Sequence, residues 1–115
     1  MAISEFEKKR YKKIVGQYIE GHRPPEHVRD QVDLAFRIDG QSVIIFEIRE
    51  IWNQPDKKVE SPIAKATYVK KTNSWKIYWQ RADLEWHRYE PTPETKNIEE
   101  FLAVIENDEY QCFWG

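Results

Sequence analysis

At 115 residues the chain is long enough for one hydrophobic core and short for two ordinary domains, so it reads as a single domain over residues 1–115. With 40% hydrophobic and 33% charged residues it is not a disordered chain, and its formal charge of −2 gives no basic excess of the kind a polyanion binder carries. Cys112 is the one cysteine, no apolar run reaches membrane-spanning length, and the amino terminus lacks a signal-peptide core; the expectation is a cytoplasmic protein with no membrane partner.

Ser4 followed by Glu7 is a capping-box pattern and opens a helix. Ile3, Tyr11, Ile14, Val15, Tyr18 and Ile19 share one face of it, Lys9, Lys12 and Lys13 turn away, and Phe6 falls off the apolar arc, placed to cover a neighbouring loop. Gly21 is the expected C-cap, and Pro24-Pro25 forbids continuation. From Val32 the period changes to two, with Val32, Leu34, Phe36 and Ile38 alternating against polar neighbours up to a hairpin signal at Asp39-Gly40. Val43 to Trp52 is the next strand, apolar enough on both faces to be central. Asn53 to Pro62, with two prolines and four charges, reads as a loop. Ile63 to Lys71 and Trp75 to Arg81 are strands joined by Thr72-Asn73-Ser74, and Ala82-Asp83 turns the chain into a fifth strand, Leu84 to Glu90, ended by Pro91 and Pro93. Asn97 with Glu100 opens a final helix whose Ile98, Phe101, Leu102 and Ile105 recur at helical spacing. The fold class is therefore α+β: an antiparallel five-stranded β-meander flanked by an N-terminal and a C-terminal α-helix. Both helices bury their stripes on one sheet face and leave the other partly open.

The functional signal is the stretch from Trp75 to Tyr89, where three tryptophans and two tyrosines sit among charged residues. Large rings populate cores, and Trp, Tyr and Arg together populate binding surfaces. The candidate binding set is Trp75, Trp79, Arg81, Trp86, His87 and Arg88. The basic run Lys8 to Lys13 reads as the solvated side of a helix. His22, His27, His87 and Cys112 would all have to converge, or recruit carboxylates, to hold a metal, so no metal or cofactor is expected. Glu47, Asp83 and His87 are the polar groups an acid–base enzyme would use, but no phosphate loop, nucleophile elbow or Cys-His pattern accompanies them, and no catalytic residue is assigned. The apolar terminal residues Tyr110, Cys112, Phe113 and Trp114 are expected to dock back on the sheet, or to insert into a neighbouring chain.

Over essentially its whole length the chain resembles a small bacterial family designated a domain of unknown function, number three thousand and twenty-four in that series. The likeness rests on Arg23-Pro24-Pro25, Val28-Arg29-Asp30-Gln31, Phe46-Glu47 with Arg49, Pro62-Ile63-Ala64-Lys65, Trp75 to Tyr89 and the terminal Cys112-Phe113-Trp114-Gly115. It implies a stand-alone single-domain bacterial protein and carries no activity, cofactor or catalytic assignment. The functional expectation is a non-catalytic binding domain that uses the Trp/Tyr/Arg sheet surface for a protein partner or self-association. Single-stranded nucleic acid is the alternative, and a small-molecule enzyme built on Glu47, Asp83 and His87 comes third.

Overall fold

The computed structural model describes residues 4–51, 53–81, 83–110 and 112–114, Pro55 by its backbone alone. Ile3, Trp52, Ala82 and Gly115, to which the sequence assigned places, lie outside them. Helix α1 (Glu5–His22) starts at the expected cap, with Ser4 Oγ accepting from the Glu7 amide at 3.2 Å. It runs through Gly21, and its C-cap is Arg23 in extended conformation. The reason is Pro24, which drives the residue before it out of the helical region without needing a left-handed glycine. A 3-10 turn at Glu26–Val28, which periodicity did not reveal, leads into the sheet.

Six antiparallel strands follow: β1 (Val32–Asp39), β2 (Ser42–Ile51), β3 (Gln54–Val69), β4 (Ser74–Gln80), β5 (Trp86–Arg88) and β6 (Glu94–Thr95), then helix α2 (Ile98–Asn107). The order is β1-β2-β3-β4-β5, and the two-residue β6 pairs with β4 beside β5. The α+β meander between two helices is thus the fold, with one short strand more than expected. Gly40 turns the β1–β2 hairpin at φ 60°, a backbone region that glycine enters without strain.

The expected loop at Asn53 to Pro62 is instead the first half of β3. The prolines misled: Pro62 sits at a register shift, where Ile45 pairs with Ala64 but Phe46 pairs with Pro62, so its missing N–H falls at an irregularity. β5 is shorter than expected because Leu84, at φ 64°, belongs to the turn: its amide donates to the Arg81 carbonyl at 2.8 Å.

Facing residues of an antiparallel ladder project to one side. On one side Val43, Ile45, Ala64, Ala66, Trp75 and Ile77 are buried beneath Tyr11, Val15 and Ile19 of α1 and Ile98, Phe101, Leu102 and Ile105 of α2. α1 lies over β1, and α2 over β3, β4 and β6. The α2 cap is as expected, Glu100 N–H donating to Asn97 Oδ1 at 2.9 Å. Phe6 covers no loop; it is 81% exposed. No helix among the described residues is long and apolar enough to cross a membrane.

After α2 the chain turns back at Asp108, in the left-handed region at φ 41°. The Asp108 carboxylate accepts from the Phe113 amide at 3.0 Å and the Trp114 amide at 2.8 Å, and the Trp114 indole donates to the Ile105 carbonyl at 2.8 Å. Phe113 packs on Tyr89, ring centroids 4.8 Å apart. The tail therefore docks on its own chain, although Tyr110 and Trp114 remain exposed.

Candidate functional site on the uncovered sheet face

The side of the sheet away from the helices carries a cross-strand row set by register: Arg37 faces Ile44, Ile44 faces Lys65, Lys65 faces Tyr78, and Tyr78 faces Arg88. Trp86, paired with Gln80, lies on the same side. The Lys65 ammonium stands 4.9 Å from the ring centroids of both Tyr78 and Trp86. Among the described residues no carboxylate pairs with it. Burial lowers its pKa from the ordinary lysine value, since desolvation disfavours the charged form. Arg88 lies over the other part of the row, its guanidinium carbon 5.9 Å from the Tyr78 centroid. One Arg88 amino group donates to the Pro93 carbonyl at 3.3 Å, while its Nε is buried and has no hydrogen-bond partner among the described residues. At the far end Arg37 is held by Glu60 at 2.7 Å and covers the buried Phe46 ring at 4.7 Å.

The six residues expected to form one surface lie on both sides of the sheet. Trp75 is core, 2% exposed and packed edge-on against Tyr11 at 5.1 Å; it presents nothing to a partner. Trp79 faces His87 across the β4–β5 ladder on the helix side, half-buried, with Arg81 over its ring at 5.6 Å. Trp86 and Arg88 are the two members on the uncovered face. Sequence reasoning missed Lys65 as part of the platform. Lys65, on β3, meets Tyr78 only through the β3–β4 register, which periodicity within one strand does not reveal; the connecting turn spans residues 70–73 rather than the expected 72–74.

Asp83 and His87 do meet, Nε2 to Oδ2 at 2.9 Å. The Glu85 amide and His87 together hold the Asp83 carboxyl below its ordinary pKa. With Glu85 they form a group whose ligand atoms lie within 4.8 Å of one another, the one such set of His, Cys, Asp and Glu among the described residues. A divalent ion fits that spacing, but both carboxylates are exposed on a surface turn. Glu47 is elsewhere. It pairs with Arg49 at 2.9 Å and lines a cavity of about 300 Å³ with His22, Leu34 and Trp114, whereas His87 lines a separate one with Trp79 and Cys112. The three groups of an acid–base enzyme do not converge. His22 reaches Glu106 at 2.6 Å, and His27 is exposed on the 3-10 turn. The basic run is the solvated helix side, with Arg10 3.7 Å from Glu99.

The family described as "Domain of unknown function (DUF3024)" matches residues 3–115. No curated protein and no solved structure matches the chain.

Proposed function

The chain belongs to the DUF3024 family, whose description names no activity, and we propose from its own geometry that it is a non-catalytic binding module whose contact surface is the uncovered sheet face. The observation that carries this is Lys65 held between Tyr78 and Trp86 with no carboxylate paired to it among the described residues. The Arg88 Nε is sealed within the chain, so a partner would meet this guanidinium at its outer amino groups, one of which stands 3.8 Å from Glu94. A cation between two rings at the centre of a sheet, with further cations around it, has the make-up of an interface hot spot. A protein that presents carboxylates or backbone carbonyls fits it best, and a bacterial, cytoplasmic setting agrees with the single cysteine and the family resemblance.

The two rings with Lys65, Lys76 and Arg88 around them also favour single-stranded nucleic acid as a second reading, since bases stack on such rings. The net charge of −2 and the acidic residues 86–115 weigh against it. One experiment separates the two. A photoreactive residue at Lys76 on the platform, with a control at Lys12 on α1, should capture one protein from a bacterial lysate at Lys76 alone. That protein, purified, should bind the chain and lose about thirtyfold in affinity with Trp86→Ala, an ordinary hot-spot effect. Equal binding by wild type and Trp86→Ala overturns the assignment of this face. A tryptophan fluorescence change with single-stranded oligonucleotide that fades with salt would move the chain to the second reading.

A further inference from the structure

The two edges of the sheet are built differently. The β4 edge is closed by β5 and then β6, short strands in succession. Among the described residues the outer half of β3 has no strand beyond it, but it carries Pro55, Pro62 and the exposed charges Asp56, Lys57, Lys58 and Glu60, devices that discourage pairing. β1 is eight residues long, has no strand beyond it among the described residues, and turns its apolar Leu34, Phe36 and Ile38 to one side and Asp33 and Arg37 to the other.

Its outward-facing groups can be identified. Gln31 accepts the Glu50 amide at 3.1 Å, and the Leu34 amide donates to Asp33 Oδ1 at 2.8 Å rather than to β2. Because ladder bonds alternate along an antiparallel strand, the N–H and C=O groups of Val32, Leu34, Phe36 and Ile38 point away from β2. The sequence Val32-Asp-Leu-Ala-Phe-Arg-Ile38 is self-complementary about Ala35. Run antiparallel to itself, it sets Val32 against Ile38, Asp33 against Arg37 and Leu34 against Phe36, with the small Ala35 meeting its own copy. That register places outward-facing groups opposite one another. It also puts apolar pairs on the helix side and opposite charges on the uncovered side.

We propose that β1 pairs with β1 of a second copy about a two-fold axis at Ala35, forming one continuous sheet. An isologous contact of this kind needs a surface complementary to itself, and this strand has one. The present structure holds the edge capped. Arg23 clasps the Asp33 carboxylate at 2.9 and 2.7 Å, and that carboxylate occupies the Leu34 amide. Pairing exchanges that internal bond for the carbonyl of Phe36 in the other copy and releases Asp33 toward Arg37 of the other copy. The axis is normal to the sheet, so both Lys65–Tyr78–Trp86 platforms end on the same side of it. The dimer would present two copies of the site to one partner.

The test is sedimentation of the full chain up to millimolar concentration, with Ala35→Lys and Ala35→Glu. Wild type should show a concentration-dependent dimer. Each variant alone should associate at least about fivefold more weakly, because like charges then face each other across the axis. Mixing the two variants should restore association, since Lys then faces Glu. Circular dichroism confirms that both variants fold; if either fails to, Ala35→Ser and Ala35→Thr, which should leave the dimer intact, are measured against Asp33→Arg, which should weaken it. A wild type that stays monomeric overturns the proposal, and so does a dimer indifferent to charge at residue 35. Lys65 and Trp86 variants should leave the mass unchanged, so this proposal and the platform reading fail separately.

Discussion

Asp108 allows the docking of the chain end to be weighed in numbers. It sits at φ 41° and accepts the Phe113 and Trp114 amides. Replacing it with glycine relieves about 1 kcal/mol of left-handed backbone cost and removes two charge-assisted hydrogen bonds. The bond to the half-buried Phe113 amide is worth about 1.5–3 kcal/mol, and the one to the exposed Trp114 amide less, about 0.5–1. The net expectation for Asp108→Gly is a loss of about 2 kcal/mol, or roughly 8 °C in Tm for a chain of this size. Asp108→Asn keeps a residue that tolerates the left-handed region and one neutral acceptor, and should lose about half as much. Phe113→Ala should lose about 3 kcal/mol, since its ring is buried against Tyr89. The decisive measurement is the double variant in urea. With Phe113 gone the tail loses its buried ring and keeps the Trp114 indole bond to Ile105, so the cost of Asp108→Gly should shrink well below its value in the wild type. If the two losses simply add, or if Asp108→Gly alone stabilises, the carboxylate does not brace the tail and the reasoning fails.

Other consequences follow from the charged groups. The hydrogen bonds from Arg23 hold the Asp33 carboxyl below its ordinary pKa. Its folded value is lower than its unfolded one, so the stability it contributes is complete above the unfolded value of about 3.9 and fades as pH falls through the folded one. Asp33→Asn should therefore be less stable than wild type near neutrality, with the gap closing in acid; a gap of constant size on acidification contradicts this. Lys65→Met should change stability by less than about 1 kcal/mol, because the loss of two ring contacts of about 0.5–1 kcal/mol each is offset by relief of desolvation and by burial of the thioether. A loss well beyond that would return Lys65 to a structural role. Because the Lys65 pKa is lowered in the fold, wild type should gain on the Met variant as pH rises from the folded value toward the ordinary lysine value of about 10.4. Denaturation of both proteins on the alkaline side measures the difference.

The sequence made most of the scaffold legible because its signals are local. Both capping boxes, the alternation of β1 and the stripe of α2 involve residues within one turn or one hairpin of each other. β3 was hidden because a proline normally argues against a strand, and only the register shift opposite Phe46 makes Pro62 acceptable. The platform was half legible for the same kind of reason. Composition flagged Trp86 and Arg88, but alternation could not say which face the helices would choose, so Trp75 joined the candidates despite being sealed. Lys65 comes from another strand and meets Tyr78 and Trp86 only in three dimensions. Glu47 and His87 likewise parted company, Glu47 drawn to Arg49 and His87 hydrogen-bonded to Asp83.

The outer half of β3 has a further implication. Between Lys58 and Ser61 its ladder runs to β2 alone, its side chains stand in solvent, and β4 begins pairing only at Ala64. Here β3 is the edge strand of a three-stranded sheet, since the same stretch of β2 pairs with β1 on its other side, and it is held by its rungs to β2 and by the exposed Arg37–Glu60 pair. Opening it would leave Val43, Ala66 and Ile77 undisturbed under the helices. Deuterium should enter its amides well before those of the central strands, and a protease that nicks this edge should release no other part of the molecule.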